Sequence, residues 1–69
     1  MNEVSWLIER NDLGEYTFWY AETKPGWHWW TPDASEALRF ATKAEVEDFE
    51  PYRMISSDPH ISITEHVFL

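Results

Sequence analysis

The chain has 69 residues, with 13 acidic against 5 basic side chains, a net charge of −8 and no cysteine. That length admits one domain, residues 1–69, near the lower limit for folding without help. The missing cysteines exclude disulfides and a thiolate zinc site, and the acidity repels nucleic acid and anionic membranes, which prefer basic patches.

A domain this small buries only about 60% of the surface its unfolded chain exposes. Five Trp, three Tyr and four Phe compensate, since each aromatic can bury roughly 150–250 Å². No stretch of about 18 apolar residues reads as a membrane span. Met1-Asn2-Glu3-Val4 lacks the basic-then-apolar order of a secretory signal. A small, soluble, cytoplasmic α+β domain is the expectation.

Val4, Trp6 and Ile8 alternate with Ser5 and Glu9, a period-two strand pattern. Asn11-Asp12-Leu13-Gly14 holds the residues of a tight turn. Glu15 to Glu22 then reads as a second strand, dense in aromatic and β-branched residues, and the two runs form an antiparallel hairpin. Thr23-Lys24-Pro25-Gly26 is the next turn, and Trp27 to Thr31 a short third strand.

Pro32-Asp33 breaks the strand, and Asp33 or Ser35 can cap a short helical turn through Ala37-Leu38-Arg39-Phe40. Thr42-Lys43-Ala44-Glu45 is a capping box that predicts a helix from Lys43 to about Glu50. Val46, Phe49 and the stem of Arg53 fall on one of its faces. Pro51 ends or bends the helix. Ser56-Ser57-Asp58-Pro59 is a loop, and Ile61, Ile63, Glu65 and Val67 alternate in a last strand. The sum is β-β-β-α-β: an antiparallel sheet of three to four strands with one main helix packed on one face.

Two features stand out as candidate binding surfaces. Glu45, Glu47, Asp48 and Glu50 wrap the outer surface of the predicted helix, with Glu36 just upstream. An ordinary solvated face carries both signs; this one is nearly all negative, and like charges at helical spacing destabilise it by a few tenths of a kcal/mol per pair. Such a surface can imitate the phosphates of DNA and attract a basic groove. In Trp27-His28-Trp29-Trp30, alternation sends Trp27 and Trp29 to one face and His28 and Trp30 to the other. Most of these Trp residues are expected in the core, with one aromatic, Trp30, left exposed on the other face, free to anchor an interface or stack on a sugar.

His28, His60, His66 and Glu65 lack the spacing of a zinc helix, so no metal or other cofactor is expected. There is no Gly-x-Ser-x-Gly elbow, no cysteine nucleophile and no phosphate-cradling loop. A miniature domain also offers little cleft in which to raise a carboxylate pKa. No enzymatic activity is expected.

The runs Trp30-Thr31-Pro32-Asp33, Ala37 to Lys43, Glu45-Val46-Glu47 and Thr64-Glu65-His66 resemble small proteins of phages and prophages, over roughly residues 16–68. In shortness and acidity the chain is also similar to anti-CRISPR proteins. That resemblance implies a non-enzymatic inhibitor, presenting Glu36, Glu45, Glu47, Asp48 and Glu50 to the basic DNA-binding surface of a CRISPR effector. The alternative is a phage accessory adaptor using an aromatic sheet face.

Overall fold

The computed structural model describes residues 3–14, 16–24 and 27–68. Glu15, Pro25 and Gly26, which the sequence assigns to a strand start and a turn, lie outside the described residues. The elements are β1 (Glu3–Leu13), β2 (Tyr16–Lys24), β3 (Trp27–Thr31), a 3₁₀ turn (Ala34–Glu36), α1 (Lys43–Asp48), α2 (Glu50–Ile55) and β4 (Ile61–Phe68). The four strands form one antiparallel sheet in the order β3-β2-β1-β4. The last strand thus returns beside the first, pairing from Glu3↔Phe68 to Arg10↔Ile61.

β1 runs on through Asn11, Asp12 and Leu13, where the sequence predicts a turn. Its register with β2 shifts between Arg10 and Leu13, and the turn falls at Gly14, whose φ of 81° suits glycine and few other residues.

Paired residues share a face, so the register fixes both sides of the sheet. Trp6, Ile8, Tyr20, Trp30, Ile61 and Ile63 point to the helices. There Ile8, Tyr20, Phe40, Val46 and Ile61 form the buried core, with Trp6, Trp30, Phe49, Tyr52 and Ile55 packed against it. Full burial of a side chain such as Ile8 or Val46 contributes about 1.5–3 kcal/mol. Ser5, Leu7, Glu9, Trp19, Ala21, Trp29, Thr31 and His66 point to the opposite face.

Ala37 to Phe40 is not the helical turn its sequence suggests. The 3₁₀ turn ends at Glu36, and Ala37 is extended (φ −70°, ψ 153°). The chain then runs into the gap where β1–β2 pairing stops at Glu9↔Trp19. Leu38 N–H donates to the Tyr20 carbonyl at 3.0 Å, and Phe40 exchanges both backbone bonds with Trp6. The reason is hydrogen-bond accounting: Trp6 directs its N–H and C=O away from β4, and a buried backbone group needs a partner.

Two short helices stand where the sequence predicts one. Phe49 between them is extended (φ −73°, ψ 116°). Pro51 has no N–H to give and its ring would clash with the turn before it, so a continuous helix is blocked. Restarting at Phe49 puts Pro51 in the first turn of α2, where an N–H would lack a partner anyway. Phe49 still reaches the core, but Arg53 is exposed rather than covering it.

Candidate functional site

Thr42 caps α1 by accepting from Glu45 N–H at 3.2 Å. The Glu45 carboxylate reaches back to Ala41 N–H at 3.3 Å, one residue before the position a standard capping box uses. Val46 turns into the core, and Glu45, Glu47 and Asp48 share the exposed remainder of α1 with Ala44 and one cation, Lys43, four residues before Glu47. Glu50 follows beyond the Phe49 break, also exposed. Glu36 sits apart, in the 3₁₀ turn that packs beside β2. The fold therefore gathers four of the five predicted acids into one run, Glu45–Glu50, and sets Glu36 on a different element.

Most of the cations are engaged elsewhere. Arg10 makes two hydrogen bonds to Asp12, one of them at 3.2 Å, which hold that carboxylate below its ordinary pKa and raise the guanidinium's. Arg39 pairs with Glu3 and lies 3.7 Å over the Phe68 ring, while Lys24 lies 5.3 Å over Trp27. Among the described residues, Glu36, Glu47, Asp48 and Glu50 form no ion pair.

The face of the sheet away from the helices carries Trp19 and Trp29 beside the buried Ser5, Leu7, Ala21 and Thr31. Trp19 donates to Glu9 at 3.2 Å and meets His66 edge-to-face at 5.7 Å. Trp27 and Trp29 are 66% and 41% exposed. Most of the Trp27–Trp30 run was expected in the core; only Trp30 packs there, because β3 is an edge strand and only its inner face meets the helices.

Between the sheet and α2 lies a cleft of about 430 Å³. Tyr20, His28 and Trp30 form its aromatic side; Pro51, Met54 and Ile55 form its apolar side, with Glu50 the one acid among the described residues that line it. His28 stacks on Tyr20 at 5.3 Å, and Trp30 meets Tyr20 edge-on at 5.8 Å. The Tyr20 hydroxyl is buried with no hydrogen-bond partner among the described residues. Burial raises its pKa, so the hydroxyl keeps its proton. Sequence reasoning missed this cleft. The signal was available, as Tyr20, His28 and Trp30 share strand parity, but the facing α2 was not foreseen.

The three histidines do not converge. His28 and His66 stand on opposite faces and opposite edge strands. His60 instead meets Asp58 and Asp12, with ligand-type atoms within 4.8 Å of one another. Arg10 already occupies the Asp12 carboxylate, which opposes a cation there. Among the described residues, no helix is long and apolar enough to cross a membrane. Comparison with family models, curated proteins and solved structures finds no match to this chain.

Proposed function

We propose that this protein is a non-enzymatic inhibitor that docks on the basic DNA-binding surface of a bacterial nucleic-acid-targeting complex, of the anti-CRISPR kind, in the host cytoplasm. The observation that carries the reading is the exposed run Glu45–Glu50 without ion-pair partners among the described residues. Glu45, Glu47 and Asp48 place three carboxylates within about 4.5 Å of helix rise. Duplex DNA carries one charge per about 1.7 Å of axis, a comparable linear density. A basic groove meeting that surface exchanges phosphates for carboxylates, and complementarity speeds the encounter. Glu36, on its own element, extends the negative field rather than the run.

The test is competition for DNA. Purified CRISPR effector complexes of several types are mixed with the protein, and target-DNA binding is followed at low and high salt. The reading expects loss of DNA binding, strongest at low salt and absent in the Glu47→Lys/Asp48→Lys double variant. Undisturbed binding across all types would sink it.

A second reading is a phage accessory adaptor that binds a protein through its outer sheet face. Exposed Trp27 and Trp29 favour it. The sequence assigned the exposed position to Trp30, which packs against the core, so the variants that test this reading are at Trp27 and Trp29.

A further inference from the structure

We propose that the cleft between β2, β3 and α2 binds an organic cation on an apolar stem, and that its occupant is a lysine or arginine side chain of a basic partner protein. The identity of the occupant rests on the partner-surface reading above; the preference of the cleft for a cation does not.

The volume, about 430 Å³, lies in the range of small-ligand sites. Tyr20 and Trp30 meet at 85°, so their rings form a corner, and His28 stacks beside Tyr20. Aromatic faces are negative and attract ammonium and guanidinium groups. Glu50 adds a full negative charge with no ion-pair partner among the described residues. An anionic ligand is therefore repelled.

A purely apolar ligand is disfavoured by the same carboxylate, because covering Glu50 with an apolar group takes its charge out of water without a partner. The Tyr20 hydroxyl plays no part, since it is enclosed by the core and Tyr20 is only 3% exposed. Arg10 approaches Trp30, at 5.4 Å, but its charge is bound to Asp12 and it is not part of the cleft lining. Met54, 78% exposed, forms a flexible wall that accommodates a stem. The cleft also adjoins the acidic run through Glu50, so a basic surface docked on that run brings its long side chains to this opening.

The experiment titrates the full chain with N-acetyl-arginine methylamide and N-acetyl-lysine methylamide. N-acetyl-norleucine methylamide serves as the uncharged control, and ¹H–¹⁵N and aromatic NMR shifts are the readout. Shifts at Trp30, Tyr20 and Met54 are expected with both cations and not with norleucine. Glu50→Gln should weaken binding about tenfold. Tyr20→Phe should fold at least as stably, having lost an unpaired hydroxyl, and keep its binding, because the ring face remains. Met54→Trp, at an exposed position, fills the cleft and should abolish the shifts. Equal shifts with norleucine, or cation shifts that map to Glu47 and Asp48 and ignore Met54→Trp, would overturn the proposal. Tighter binding of free spermidine than of either amide would overturn the side chain as occupant. Intact probe binding without DNA competition sinks the inhibitor reading alone; the reverse sinks the cleft.

Discussion

Trp6 and Phe40 are bonded through their backbones in both directions: Trp6 N–H donates to the Phe40 carbonyl at 2.8 Å, and Phe40 N–H to the Trp6 carbonyl at 3.0 Å. This isolated bridge ties the segment before α1 into the gap beside β1. It also fixes which way that segment faces. Phe40 enters the core against Phe49, with ring centroids 5.1 Å apart. Arg39, one residue earlier, takes the outer face and reaches Glu3 and Phe68.

Phe40→Ala should therefore be among the most damaging changes in the chain. It empties a core position next to Val46 and Phe49, and such truncations cost about 3–5 kcal/mol. Urea unfolding of the variant should show that loss, or no folded state at all. A cost near that of a surface substitution would mean that the 38–40 segment does not hold the core.

Arg39 predicts a smaller, specific effect. Its pairing with Glu3 and its position over Phe68 join the bridging segment to the outer ends of β1 and β4. The group is partly exposed, so Arg39→Ala should cost only about 1 kcal/mol. A double-mutant cycle with Phe68→Leu should show positive coupling. Additive losses would remove the cation–π contact from the account.

Thr42→Ala tests the start of α1. The Thr42 hydroxyl accepts from Glu45 N–H, and losing such a cap costs about 1 kcal/mol. Thr42→Ser should restore most of it in thermal unfolding.

These effects separate what the sequence displays from what it conceals. Thr42 and Glu45 announce α1 because a cap is local chemistry; period-two alternation announces β1 and β4, and aromatic and β-branched density announces β2. The path of Ala37–Phe40 is not local. Asp33 does cap a turn, accepting from Ser35 N–H at 2.9 Å, but the extension beyond it answers the open backbone of Trp6, far away in sequence. The acidic run was legible because its members, Glu45, Glu47, Asp48 and Glu50, lie within six residues, broken only by the apolar Val46 and Phe49. The Tyr20–His28–Trp30 cleft was not, because its far wall depends on where α2 restarts after Phe49.

Asp33 and Asp12 set an acid limb to stability. Hydrogen bonds from Ser35 hold the Asp33 pKa below its ordinary 3.8, and Arg10 does the same for Asp12. A depressed folded-state pKa contributes stability that is complete above 3.8 and disappears as pH falls through the lower folded value. The stability these two groups contribute should thus begin to decline as the solution is acidified below 3.8 and be gone below their lower folded values. Asp33→Asn keeps a good N-cap without the titration, so its denaturation midpoint should fall less steeply over the same window. Parallel curves for variant and parent would show that Asp33 carries no part of the limb.

The two functional readings place their energy on opposite sides of the sheet, and paired variants separate them. Trp27 and Trp29 are exposed on the outer edge strand, so Trp27→Ser/Trp29→Ser should leave the fold in place with a modest loss of stability. Glu47 and Asp48 are exposed on the outward surface of α1, and their reversal to Lys likewise leaves the core untouched. If the protein displaces DNA through charge, the Lys variant loses competition at every salt concentration. The Trp variant then keeps the parent's competition and its salt dependence. An adaptor working through the aromatic face reverses the pattern: the Trp variant loses its partner, the Lys variant keeps it, and salt changes little, since apolar burial is not screened. Binding measured for both variants across a salt series, after circular dichroism has shown each to be folded, therefore assigns the working surface to the α1 run or to β3.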